Sequence, residues 1–151
     1  MQDAIIRRIG AISRALDSIS NIEFRQYNLT KGQYLYLVRV VENPGIIQEY
    51  LAEMIRVDKT TGNRAVNKLE TQGLLTKRTN STNKKNKQLF ATDKGLEIYH
   101  EIIKEHRYSE AQAVKQLTKD EQQQLLQLLT KVDTEIFENW NQVKRGQKRN
   151  Y

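Results

Sequence analysis

Seven side chains able to form hydrogen bonds or ion pairs fall between positions 59 and 68: Lys59, Thr60, Thr61, Asn63, Arg64, Asn67 and Lys68. On a helix they make an outward face, opposite Ala65, Val66 and Leu69, which would fix the helix against a body. Asparagine can bond bidentately to adenine, arginine to guanine, and threonine offers a hydroxyl and a methyl, so this face is suited to base edges in a DNA major groove. A second set, Arg78, Asn83, Lys84, Lys85 and Lys87, surrounds a polar turn, 80–86, that holds no apolar side chain. Lysine acts there as a point charge, suited to phosphates or to the minor groove. Such residues also solvate many ordinary surface helices. What favours recognition is that the whole net charge of the chain gathers around them.

The 151 residues carry 25 Lys and Arg against 18 Asp and Glu, a net charge of +7. The window 56–95 alone holds ten basic and three acidic residues, and Lys144, Arg145, Lys148 and Arg149 add four positive charges at the C-terminus. The remainder sums to −4, so an acidic body carries a basic middle and a basic tail. A localised patch of this kind points to a polyanion. The tail reads as an auxiliary phosphate contact or a solubilising end.

Other chemistry has little to stand on. The absence of cysteine excludes disulfides, thiolate metal sites and a cysteine nucleophile. His100 and His106 stand six apart, about 240° around a helix, so they cannot share a metal as an i, i+4 pair would. Glu97 and Glu101 beside His100 read as salt-bridging residues, and no phosphate loop, nucleophile elbow or triad is present. The chain is expected to be no enzyme and to need no cofactor. Charges interrupt the N-terminal segment, and no apolar run approaches about 18 residues, so neither a signal peptide nor a membrane span is expected. The expected location is the cytoplasm.

The elements that would hold these side chains follow from periodicity. Ile5, Ile9, Ile12, Leu16 and Ile19 form one helical stripe near the N-terminus. Thr30 reads as the cap of a helix through Tyr34, Leu35, Leu37, Val38 and Val41, stopped at Asn43-Pro44-Gly45. A short helix, about 47–55, precedes one capped by Asp58 and ending at Gly73. Residues 74–79 and 87–92 read as the strands of a hairpin. A helix is expected over 96–117, and Thr118-Lys119-Asp120-Glu121 has the form of a capping box opening another through Leu125, Leu129, Val132, Ile136, Trp140 and Val143. Two helices joined by a tight turn and followed by a cationic hairpin form a winged helix-turn-helix. The expected fold class is therefore mainly α with a small β-hairpin wing: a winged helix-turn-helix lobe at 29–95 and a helical dimerisation region built from 1–28 and 96–143, followed by a basic tail at 144–151.

The segment from Leu51-Ala52 through Val57-Asp58, Thr60-Thr61, Arg64, Leu69-Glu70 and Gly73-Leu74-Leu75 resembles the core of a MarR-type transcriptional regulator. Leu29-Thr30-Lys31-Gly32-Gln33, Asn43-Pro44-Gly45, Thr92-Asp93-Lys94-Gly95 and Leu117-Thr118-Lys119-Asp120-Glu121 extend the likeness to roughly residues 5–143. Each motif is weak alone; their order and spacing carry the resemblance. It implies a homodimer whose terminal helices interdigitate, a pseudo-palindromic operator on double-stranded DNA, half-sites about 10 bp apart, and action as a repressor. It also implies release by a small aromatic or phenolic ligand in a crevice that Tyr27, Tyr34, Tyr36 and Arg14 could line; core packing is the other reading of those tyrosines.

Three positions depart from the family pattern. Asn83-Lys84-Lys85 replaces an Asp-x-Arg pair in the wing, which predicts a softer, more salt-sensitive contact. Ile47 replaces a capping Thr. Gly62 within the recognition helix costs about 1 kcal/mol relative to Ala, and reads either as close approach to DNA or as tolerated drift. The rival function is a non-specific nucleic-acid or RNA-binding protein. Stacking aromatics would favour it, yet the basic window contains only Phe90.

Overall fold

The computed structural model describes residues 2–79, 82 and 84–151. Asn83, one of the expected wing contacts, lies outside them. Among the described residues the order is α1 (Gln2–Glu23), a 3-10 turn (Phe24–Tyr27), α2 (Gln33–Glu42), β1 (Ile46–Ile47), α3 (Gln48–Ile55), α4 (Lys59–Thr71), β2 (Leu75–Thr79), β3 (Lys87–Ala91), α5 (Asp93–Ala113) and α6 (Lys119–Lys144). The chain divides into two compact units, 1–109 and 110–151.

The first unit is built on Leu29, Leu37, Val40, Leu51, Val66, Leu69, Leu89 and Ile102, which are fully buried together. Every one of α2, α3, α4, β3 and α5 contributes to this cluster, so burial of apolar area locks the helix pair to the sheet and to α5. The sheet is antiparallel in the order β1-β3-β2, with Lys77 opposite Leu89 and Ile46 opposite Leu89 on the other side. The third strand was not expected from the sequence. At two residues it is too short for an alternation to register.

Thr30 is not the cap of α2, as the sequence suggested. Lys31 and Gly32 both adopt left-handed backbone angles, φ 56° and 75°, and the helix starts from Gly32, whose amide donates to Asn21 Oδ1 at 3.0 Å. Only the return arm of a capping box forms there: the Thr30 amide donates to Gln33 Oε1 at 3.1 Å. The other boundaries follow their local chemistry. Asn43 ends α2 beside Pro44, and α4 closes at Gly73, which takes φ 74° without the penalty a Cβ would bring. Helix α5 spans 93–113, beginning and ending a few residues earlier than the periodicity indicated.

Where α1, α2 and α5 meet, Tyr34 hydroxyl donates to Asp17 Oδ1 at 2.8 Å, and His106 packs edge to face against both Phe24 and Tyr34, whose own rings are tilted to each other. Burial lowers the His106 pKa against the opposing pull of Glu105 and Glu42. His106 is thus part of an aromatic cluster, while Glu101 pairs with Lys104 at 2.6 Å.

In the second unit the expected capping box is complete. Thr118 Oγ1 accepts from the Glu121 amide at 3.2 Å, and Glu121 Oε2 accepts from the Thr118 amide at 2.7 Å. Helix α6 then runs 26 residues without one buried side chain. Leu129 is 40% exposed, Ile136 51% and Val143 49%, all on the stripe the sequence marked out. Ile5, Ile12, Leu16 and Ile19 of α1 are likewise exposed.

Candidate nucleic-acid interface

Asp58 starts α4 by accepting from the Thr61 amide at 2.8 Å and the Thr61 hydroxyl at 2.6 Å. These bonds hold its carboxyl below the usual carboxylate range. Thr61, expected on the reading face, therefore has its hydroxyl proton committed to the cap. Val66 and Leu69 are fully buried and Ala65 half-buried, so the helix is seated by the face the sequence assigned to packing. Gly62 belongs to neither of its two expected roles. It is buried against α3, where a Cβ would stand 3.0 Å from Ala52 Cβ. It is small because two helices of the lobe cross there.

Lys59, Thr60, Arg64, Asn67 and Lys68 are exposed, and Asn63 is half-buried with its Oδ1 bonded to Gln48 Nε2. On the wing Arg78, Lys84, Lys85 and Lys87 are exposed, and the Arg78 guanidinium lies 4.3 Å over the Phe90 ring. Between α4 and the wing runs an open groove of about 300 Å³. It is lined by Lys59, Asn63 and Asn67 of α4, by Lys77, Lys85 and Lys87 of the wing, and by Gln48 and Glu49 of α3. Arg64, Lys68, Arg78 and Lys84 are not among the residues lining it.

Two residues that sequence reasoning missed hold this arrangement together. Gln48 positions Asn63, and Lys77 of β2 reaches Asn67 Oδ1 at 2.6 Å and Glu70 Oε1 at 3.5 Å. A signal for Lys77 was available. It shares a strand face with buried Leu75, two residues earlier, so alternation turns it inward.

At the far end of the wing one threonine joins three elements. Thr92 Oγ1 donates to the Gly73 carbonyl at 2.6 Å and accepts from the Gly95 amide at 3.1 Å, while the Thr92 amide donates to the Leu74 carbonyl at 3.0 Å.

A short helix pair, a helix with a solvated polar face and an adjoining cationic hairpin around one groove define a winged helix-turn-helix protein. The sequence model described as MarR family matches residues 27–85. The chain is 52% identical over 147 residues to the uncharacterized HTH-type transcriptional regulator YybA of Bacillus subtilis (strain 168), covering 97% of this chain and 98% of that protein. Among solved structures, a Listeria monocytogenes regulator assigned to the MarR family and complexed with 26mer DNA shares 52% identity at TM-score 0.95, over 97% of this chain and 98% of that one. A SlyA-like transcription regulator from Listeria monocytogenes shares 52% identity at TM-score 0.93 over the same fractions. The chain belongs to the MarR family of transcriptional regulators, which are not enzymes. Among the described residues no helix is long and apolar enough to cross a membrane.

Proposed function

We propose that the protein binds double-stranded DNA in a sequence-specific manner, as a cytoplasmic homodimer on a pseudo-palindromic operator, and represses transcription by occupying it. The observation that carries the reading is the groove in which α4 amides and wing lysines face each other. It pairs groups able to discriminate bases with groups that bind phosphate regardless of sequence. The DNA complex of the Listeria regulator, at 52% identity, supports the same partner. The exposed apolar stripes of α1 and α6 support a second copy as the surface that covers them, with 1–28 and 96–143 as the dimerisation region, 29–95 as the DNA-binding lobe and 144–151 as a loose basic end.

Selection of bound duplexes from a random library is the deciding experiment. A palindrome with half-sites about 10 bp apart is expected. Displacement of a promoter fragment by equal amounts of random duplex or single-stranded RNA would instead favour the non-specific reading. Arg64 and Lys85 divide the roles within the site. Arg64→Ala should cost about 1–3 kcal/mol and relax one base position. Lys85→Ala should weaken all duplexes alike and lower the salt slope by about one. Equal losses on every sequence for both would reduce Arg64 to a phosphate contact.

Release by a small aromatic or phenolic ligand completes the proposal. Tyr34 and Tyr36 are committed to the core, so Arg14, exposed, and Tyr27, half-buried, are the named groups left to meet it. Benzoate should lower affinity for the selected operator, read by fluorescence anisotropy, and unchanged binding would remove this part of the reading.

A further inference from the structure

Lys77 counts toward the basic window, yet its side chain is only 16% exposed, less than Glu70 at 42%. Its ammonium stands 2.6 Å from Asn67 Oδ1 and 3.5 Å from Glu70 Oε1. Asn67 and Glu70 are nearly one helical turn apart, so a wing lysine clasps α4 at two neighbouring positions of one face. An ammonium has three donors and no acceptor. The Asn67 atom facing it must therefore be the carbonyl oxygen, whichever way the amide is drawn. Turning the amide over would set its NH2 group against the cation and lose a charge-assisted bond.

We infer that Lys77 is a positioning residue for base recognition, holding the Asn67 amide so that its Nδ2 donor, and not its carbonyl, is presented to DNA. This rests on the reading of α4 as the helix that faces the major groove. The sequence suggested bidentate pairing of asparagine with adenine, which needs the carbonyl to accept from N6 while the amide donates to N7. With the carbonyl turned toward a mostly buried lysine, Asn67 offers a donor. A donor matches guanine O6 or N7 and thymine O4, finds at adenine only N7 beside an opposing N6 donor, and meets at cytosine an opposing donor alone. Asn63 is different, because Gln48 is itself an amide and can serve either end. Of these two α4 amides only Asn67 has its polarity fixed, and the selected base there should be a keto base.

The test is duplex selection with the full-length protein and three variants. Asn67→Ala should flatten one position of the half-site and so identify it. At that position the unmodified protein should enrich guanine or thymine over cytosine by about three- to tenfold, the value of one hydrogen bond, and over adenine, which keeps N7 as an acceptor, by a smaller factor. Lys77→Met should move the same position toward adenine while leaving the rest of the motif intact. Asn67→Asp keeps Lys77 and replaces the donor with an acceptor, so it should move the position toward cytosine or adenine, and it decides the matter if Lys77→Met does not fold. Adenine already preferred by the unmodified protein, a motif untouched by Asn67→Ala, or Lys77→Met weakening every sequence alike with its profile unchanged would each overturn the inference alone. If the unmodified protein enriched no sequence, the base-reading role of α4 would fall, and the inference with it.

Discussion

Gly95→Ala should destabilise the protein by at least about 2 kcal/mol. Gly95 sits in the first turn of α5, directly over the backbone that leads from α4 into the wing. A Cβ there would overlap the Leu74 carbonyl oxygen and press on its carbonyl carbon, and Leu37 Cδ1 would stand 3.4 Å away. Alanine would bring a gain of about 1 kcal/mol in helix propensity, but that does not compensate. The obstructing atom is backbone, already accepting from the Thr92 amide, and cannot rotate aside as a flexible side chain would. Either α5 must lift from the core or the bond must break. Urea denaturation at fixed protein concentration checks this: the midpoint should fall with the slope unchanged. A variant as stable as the parent would mean that α5 can shift freely over the wing.

Leu129→Asp should lower operator affinity by about a hundredfold or more while leaving the chain folded. Leu129 is 40% exposed at the middle of the α6 stripe, so an isolated chain loses little by the change. In the proposed dimer the same change would bury an unpaired carboxylate against an apolar partner surface, which costs far more than a surface substitution. Loss of the dimer uncouples two lobes whose joint binding exceeds that of either alone by about 10²–10⁴. Sedimentation should report a monomer and circular dichroism an unchanged helix content. A Leu129→Asp dimer with parental affinity would show that the α6 stripe is not the partner surface.

Much of this architecture was legible because its determinants are local. Asp58 and Thr118 cap the helices assigned to them, Pro44 stands just past the end of α2, and Val66 and Leu69 face inward as their spacing required. The failures share a different cause. Thr30 has the right side chain for a cap, but two successive left-handed residues delay the helix, and that geometry is tied to Asn21 on another helix. Gly62 reads from the sequence as an approach to DNA or as drift, yet its neighbour is Ala52, a contact between helices that no single-helix pattern contains. Within the candidate site, the exposed faces of α4 and the wing could be read from composition and period. The bonds that orient their amides could not: alternation turns Lys77 inward, but it does not name Asn67 as the partner, and Gln48 likewise reaches Asn63 from another element.

The Thr92 junction bears on how a signal could travel. One hydroxyl holds both the end of α4, through the Gly73 carbonyl, and the opening turn of α5, through the Gly95 amide, and the same residue's backbone amide holds Leu74 at the root of the wing. Helix and wing thus share one junction. A rotation begun along α5 would turn both proposed DNA contacts as one lever, so the major-groove and phosphate terms of binding should rise and fall together instead of being tuned one at a time.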